Sequence, residues 1–350
     1  MAEHNPMYYF CTYFDRHYIE KGLALYYSLV RHCSPFQLWI LCMDDVTYHI
    51  LSEMRLPQVH LIPLTTFERD DPLLRQAKLN RSLIEYYFTC TPSLPIYVLD
   101  HASEVDVITY LDADLYFFSS IEPIYRELGD KSVLIVEHRF PSALKNREIF
   151  GIYNVGLLSF RRDGDGLACL HWWRGRCLDW CYDRVEPGRF ADQKYLDDWP
   201  DRFSKTVVSR HKGVGLAPWN ITNYKYSLSG KDFFVDDQPL IVYHFQGLRQ
   251  LNTWLYDSNI EDYNTRLPKI VKSNLYYPYI MELEHIKREL ECSFKFNLDR
   301  SHPIRIADKA NLPASVSVWD MITNSVNNGI NYLKIFQKLF YNGLILLDHK

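Results

Sequence analysis

The chain has 350 residues, 47% of them apolar and 23% charged, enough to bury a large core as one α/β domain or as a domain with an appendage. Its 39 basic and 43 acidic residues give a formal net charge of −4, so no global basic field points to nucleic acid. No apolar run reaches the roughly 18 residues of a membrane-spanning helix. Aromatic content is 15%, with 26 tyrosines, a level that suits both a tyrosine-rich core and a cleft that stacks on sugar or base rings.

Along the chain, residues 8–13 (YYFCTY) predict a first strand and residues 19–32 the helix after it. Residues 36–43 (FQLWILCM), a continuous apolar run ending at Asp44-Asp45, predict a buried parallel strand, and 59–63 a further short one. A helix is expected over 80–89, closed by Thr91-Pro92. Strands follow at 105–111 (VDVITYL) and 132–137, then 153–160 (YNVGLLSF). Residues 167–184 carry Leu170, Trp173, Cys177, Trp180 and Cys181 on one helical stripe. Later strands are expected near 206–209 and at 240–245 (LIVYHF), which runs into Gln246-Gly247. Beyond residue 255, helical segments near 262–272 and 276–290 are punctuated by Pro268 and Pro278. The tail 316–347 has apolar residues at helical spacing, from Trp319 to Phe340. Strands alternating with helices predict an α/β fold with a mixed, mostly parallel sheet flanked by helices. The division expected is a catalytic domain over 1–255 and a helical extension over 256–350 packing on it. The opening MAEHNPMYYF lacks a charged-then-apolar signal pattern, and the eight cysteines show no C-x-x-C spacing, so a cytoplasmic protein with reduced thiols is expected.

Three motifs carry chemistry. Asp112-Ala113-Asp114 closes one apolar run and opens another, Leu115–Phe118. Unpaired ionised carboxylates in such a segment would cost several kcal/mol, and a hard divalent cation such as Mn²⁺ or Mg²⁺ is the natural compensation. Solvated aspartates in a turn are the plainer alternative. His244 ends the apolar strand 240–245, where a neutral imidazole suits a metal already held by carboxylates. Gly247 would let backbone approach a diphosphate, and Arg249 would offer it a bidentate cation. Asp192-Gln193, after a Gly-containing loop, pairs a carboxylate with an amide suited to sugar hydroxyls, or else marks a helix N-cap.

In order, these stretches resemble the GT-A-fold glycosyltransferases, in particular the retaining family 8 group that includes glycogenin and the lipopolysaccharide galactosyl- and glucosyltransferases. Residues 11–15 (CTYFD) with Tyr18 are similar to that family's first-strand nucleotide-binding loop, and Tyr110-Leu111-Asp112-Ala113-Asp114 to its metal-binding D-x-D. Tyr153-Asn154-Val155-Gly156 resembles its F-N-S-G segment, Ala191-Asp192-Gln193 its D-Q segment, and residues 242–247 (VYHFQG) its H-F-x-G motif. The likeness covers roughly residues 8–250. Departures are Val155 where the family carries Ser, Leu248-Arg249-Gln250 where it carries Lys, and Arg81 standing further ahead of the D-x-D than the family's basic residue.

The resemblance implies a metal-dependent hexosyltransferase in which Asp112, Asp114 and His244 hold Mn²⁺ or Mg²⁺. Thr12, Tyr13, Asp15, Tyr18, Arg81, Asp112, Ala113, Gly247 and Arg249 would bind the nucleotide-sugar, with UDP as its nucleotide. Asn154, Asp192 and Gln193 would line the sugar and the face from which a saccharide or glycolipid acceptor attacks. It also raises peripheral contact with the inner face of a membrane through residues 316–347. Rival readings are a sugar nucleotidyltransferase, which would want a Gly-rich phosphate loop where residues 11–22 hold only Gly22, and a glycosidase, whose acids would stand apart across a cleft. A catalytically inactive GT-A-like binding protein is the third.

Overall fold

The computed structural model describes residues 7–295 and 343–347. Strand β1 (Tyr8–Phe14) leads into helix α1 (Ile19–His32), and β2 (Phe36–Cys42) returns parallel to β1 with Tyr8 opposite Phe36. Helix α2 (Asp45–Met54) begins at Asp44, whose carboxylate accepts from the Thr47 amide at 2.8 Å and from the Arg16 amide at 2.9 Å. Asp44 is therefore committed to capping. After β3 (Val59–Pro63) come four short helices, α3 (Leu64–Asp70), α4 (Pro72–Ala77), α5 (Leu83–Cys90) and α6 (Ser93–His101). A reciprocal Ser82–Glu85 capping box starts α5. Helix α5 ends at Cys90 and is closed by Thr91-Pro92 as the sequence suggested; Pro92 then precedes α6, where its fixed φ and missing N–H are tolerated.

The chain then enters β4 (Val107–Leu111), turns, and continues as β5 (Leu115–Phe117), α7 (Glu122–Leu128), β6 (Val133–Glu137), β7 (Tyr153–Arg161) and α8 (Gly164–Asp179). Because α8 stops at Asp179, Cys181 lies past its end and does not share a helix face with Cys177. Helix α9 (Trp199–Arg202) and β8 (Thr206–Val208) follow. Next is an antiparallel meander of β9 (Tyr226–Ser229), β10 (Asp232–Val235) and β11 (Gln238–Pro239), which the sequence did not signal. The expected strand over 240–245 is confined to β12 (Val242–His244), followed by the hairpin β13 (Arg249–Asn252) and β14 (Leu255–Asp257).

The main sheet has the order β3-β2-β1-β4-β7-β6-β8, with only β7 antiparallel to its neighbours. Every residue of β4 is buried, as expected for a strand covered on both faces. The period of two along β1 splits its side chains: Tyr8, Phe10 and Phe14 enter the core under α1, while Cys11 enters the core beneath α5, α6 and α8. These are the helix-flanked faces expected of the α/β class.

The C-terminal part is more continuous than its prolines suggested. After α10 (Lys269–Val271) a π-turn, Lys272–Tyr276, passes directly into α11 (Tyr277–Phe294), with Pro278 in the first turn of α11. This helical extension lies against α1, with Arg31 and Glu282 paired at 3.2 Å. Tyr279 stacks on Phe245 with ring centroids 3.9 Å apart. Most of the tail helix expected over 316–347 lies outside the described residues. Its end is instead β15 (Leu344–Leu346), antiparallel to β14, a correction that fits the apolar Leu-Ile-Leu run. Among the described residues no helix is long and apolar enough to cross a membrane. All eight cysteines are free thiols, and all but Cys292 are buried.

Candidate metal and nucleotide-sugar site

Two strand pairings build the site. Asp112 follows β4, its amide donating to the Gly156 carbonyl at 2.9 Å, and the chain reverses through a Leu115-to-Asp112 turn bond of 3.2 Å. Strand β5 then pairs antiparallel with β12, placing His244 opposite Leu115, and the Phe245 amide donates to the Asp114 carbonyl at 3.0 Å. Residues more than a hundred apart in sequence thereby meet. His244 Nε2 stands 3.0 Å from Asp114 Oδ1 and 3.8 Å from Asp112 Oδ2. One ligand atom from each of the three lies within 4.8 Å of the others. Two carboxylate oxygens and an imidazole nitrogen this close are a donor set that could hold a divalent metal.

Asp114 and His244 are buried, and the Asp112 side chain keeps 30% of its surface open. Burial would raise the Asp114 pKa, but the facing His244 and the nearby Lys21 hold it down to about 2. Burial would lower the His244 pKa, yet Asp114 and Asp112 together raise it above 6.5. Asp112 is raised by burial first, with His244 opposing. The Tyr110 hydroxyl donates to Asp112 Oδ1 at 2.8 Å and fixes that carboxylate. Only glycine fits at Gly156, because a Cβ there would lie 3.0 Å from the His244 ring and 2.6 Å from Asn154 Oδ1.

Asp192, Asn154 and Gln193 form a second group beside the first. Asn154 Nδ2 is 3.5 Å from Gln193 Oε1, its Oδ1 accepts from the Gly156 amide at 2.9 Å, and Gln193 donates to the Phe150 carbonyl at 3.0 Å. Asp192 follows Ala191, which is held at φ +46°, and its carbonyl accepts from the Trp173 indole at 2.8 Å. Burial pushes the Asp192 carboxyl up to about 7, opposed by a hydrogen bond from Thr91 and reinforced by the charge on Asp112. The Tyr13 hydroxyl lies 3.1 Å from Thr91 Oγ1, and the Tyr13 ring lies 5.9 Å from that of Tyr110. Thr91, Tyr13 and Tyr110 thus link Asp192 to Asp112.

The other expected site residues scatter around this centre. Ala113 is buried in the turn. Asp15 accepts from the His17 amide at 2.9 Å and from the Tyr87 hydroxyl at 3.1 Å. Tyr18 is exposed, with the Lys21 ammonium 4.3 Å from its ring centroid. Thr12 is fully buried on the face of β1 shared with Phe10 and Phe14, its hydroxyl without a partner among the described residues. Arg81 donates to the Tyr182 hydroxyl at 2.5 Å and the Leu178 carbonyl at 3.2 Å. Gly247 sits at φ +78°, where a Cβ would also meet Asn259 at 2.9 Å. Arg249 reaches the fully buried Asp257 at 2.9 Å, so the bonds of both arginines run away from the carboxylate–histidine cluster.

Three contributors escaped the sequence. Thr91 reads as part of a helix stop, and nothing in the sequence singles out Lys21. His138, pushed down to about 4 chiefly by burial, uses Nδ1–H toward the Ile152 carbonyl at 3.1 Å, leaving Nε2 3.3 Å from the Asn154 amide. None stands in a spacing that marks it.

No known protein-family profile matches the chain. The galactosyltransferase LgtC, solved in complex with donor and acceptor sugar analogs, superposes with a TM-score of 0.47 and 14% identity, over 76% of this chain and 100% of that one. Among curated proteins, YfnF of Bacillus subtilis is 33% identical over 248 residues, 69% of this chain and 81% of the relative. YfnD of the same organism is 30% identical over 296 residues, covering 82% of this chain and 92% of its own length. The chain therefore belongs to the family of the uncharacterized Bacillus subtilis proteins YfnD and YfnF.

Proposed function

We propose that the protein is a metal-dependent glycosyltransferase of the GT-A type, moving a hexose from a nucleoside-diphosphate donor to a saccharide or glycolipid acceptor. The observation that carries this reading is the Asp112–Asp114–His244 cluster, assembled at the carboxyl end of a central parallel strand by the β5–β12 pairing. Ligands of open α/β sheets gather at such strand ends. The ordered motifs along the sequence support the same reading and favour UDP as the nucleotide, Mn²⁺ or Mg²⁺ as the metal, and retention as the outcome. In this reading residues 1–255 form the catalytic unit and 256–350 an extension packed on it.

Asp112, Asp114 and His244 would hold the cation, which when bound supplies Lewis-acid stabilisation of a diphosphate leaving group. The Tyr110 hydroxyl, bonded to Asp112 Oδ1, would help hold that carboxylate in place for it. Asn154 and Gln193, linked to each other and braced by His138 and the Phe150 carbonyl, orient sugar hydroxyls. Asp192, with a pKa near neutrality, exchanges a proton easily and holds a sugar or acceptor hydroxyl without needing a covalent role. Tyr13, Asp15 and Tyr18, at and just beyond the end of β1, would bind the nucleotide. The test is incubation with Mn²⁺ and a panel of nucleotide-sugars, reading release of nucleoside diphosphate. Release that requires metal and disappears in Asp114→Ala is expected. No release with any donor, or release unchanged in Asp114→Ala, overturns the reading.

A further inference from the structure

Resting on that proposed function, the charge inventory of the site leaves a demand unmet. Two carboxylates and the diphosphate of a nucleotide-sugar carry roughly four negative charges against the two of one divalent cation. Arg249, the cation the sequence offered for the phosphates, is engaged with Asp257, and Arg81 with Tyr182 and the Leu178 carbonyl.

The structure brings another cation to the spot. Lys21, near the start of α1, is only 9% exposed, and among the described residues it makes no direct ion pair. Its ammonium lies 4.3 Å from the Tyr18 ring centroid. Helix α1 packs on β5, where the Phe117 amide donates to the Ser28 hydroxyl at 3.1 Å, and the Lys21 ammonium lies within electrostatic reach of both Asp114 and His244. Burial would lower the Lys21 pKa, but Tyr18, Asp114 and Glu20 together raise it, so the group stays charged. Tyr279 of α11 approaches the same corner, within the field of Asp114, Glu20 and Tyr18. Its ring is stacked on Phe245, the residue after His244, and its hydroxyl is fully buried without a hydrogen-bond partner among the described residues. A buried ammonium held by the neutral Tyr18 side chain without a direct counter-ion, and a buried hydroxyl without a partner among the described residues, both beside a candidate metal cluster, are costly unless a ligand completes them.

We infer that Lys21 and the Tyr279 hydroxyl receive the donor's diphosphate on the Asp114 side of the metal site, a binding role that neither the D-x-D nor the H-F-x-G segment supplies. Helix α1 and the C-terminal helix α11 then both take part in donor binding.

The experiment titrates the whole protein, with Mn²⁺ present, against UDP, GDP, ADP, CDP and dTDP, and takes the tightest binder together with its free nucleoside. Lys21→Met is expected to weaken the diphosphate by about tenfold or more and Tyr279→Phe by about threefold, as for loss of a charge-assisted and a neutral hydrogen bond. Nucleoside affinity is expected to stay unchanged in both variants. Affinity for Mn²⁺ alone is expected to be unchanged or higher in Lys21→Met, because a neighbouring positive charge is gone, whereas a collapsed site would bind Mn²⁺ more weakly. Wild-type diphosphate affinity in Lys21→Met, or loss of Mn²⁺ along with the diphosphate, overturns the inference alone. Should Lys21→Met not fold, Tyr279→Phe decides, since deleting an unpartnered hydroxyl spares packing; unchanged diphosphate affinity there overturns the inference. Failure of the wild-type protein to bind any of the diphosphates with Mn²⁺ overturns the proposed function and this inference with it.

Discussion

The β5–β12 ribbon and the β13–β14 hairpin are joined by a short turn, yet they treat their polar residues in opposite ways. In the ribbon, backbone pairing fixes His244 against Leu115 and so delivers its imidazole to Asp114. In the hairpin, Arg249 is paired across to Asp257 and its guanidinium closes on that buried carboxylate. The turn at Gly247 separates the two regimes. A motif read along the sequence treats His244 and Arg249 as one unit, but the sheet assigns one to a candidate metal site and the other to a structural ion pair. Adjacency in sequence transmits function only as far as strand register carries it.

Substitutions can break that contrast. The largest effect is expected in the ribbon: Asp114→Ala or His244→Ala should reduce metal-dependent turnover and Mn²⁺ affinity by about a hundredfold or more, read by donor hydrolysis and Mn²⁺ titration. Arg249→Ala should leave Mn²⁺ affinity unchanged and change donor affinity by less than about threefold, while costing about 1–3 kcal/mol in denaturant unfolding because Asp257 is fully buried. A collapse of donor binding in Arg249→Ala would erase the distinction.

Gly156→Ala sharpens the ribbon's side. The added Cβ must displace the His244 ring or Asn154, and overpacking of this kind costs about 1–3 kcal/mol, with a loss of Mn²⁺ affinity of roughly tenfold expected. Full Mn²⁺ affinity in this variant would show that the His244 ring is not held where the fold puts it.

Smaller effects should appear with pH. Metal must compete with a proton on His244, whose pKa is raised above 6.5, so Mn²⁺ affinity should climb as pH rises through the range above that value. Asp192 gives an effect of opposite sign on stability. Its folded pKa is raised from 3.8 to about 7, so between those values the folded protein retains a proton that the unfolded chain has lost. Stability of the metal-free protein should therefore fall as pH rises across that window. Asp192→Asn should flatten this slope in urea unfolding with EDTA present; an unchanged slope would place the titration elsewhere.

The same contrast explains what was legible beforehand. The D-x-D and His244 could be found because charged or titratable residues interrupt apolar strand runs, and burial makes such interruptions expensive. The alternation of strands and helices gave the sheet's class. Lys21, Thr91 and His138 stayed hidden because each is brought to the site by tertiary packing and leaves no periodic trace. Helices α3 and α4, of seven and six residues, have too few turns for a clear 3.6-residue pattern. Pro92 does mark a break, between α5 and α6, whereas Pro278 occupies the first turn of α11. The end of the tail formed β15 because its apolar residues meet an open edge of β14.

The most direct test of the account is an electron paramagnetic resonance titration of Mn²⁺ into the wild-type protein and Asp114→Ala, each with and without UDP. One Mn²⁺ site is expected in the wild type, tightened by UDP and missing from Asp114→Ala. No Mn²⁺ site in the wild type, or an identical site in the variant, would contradict it.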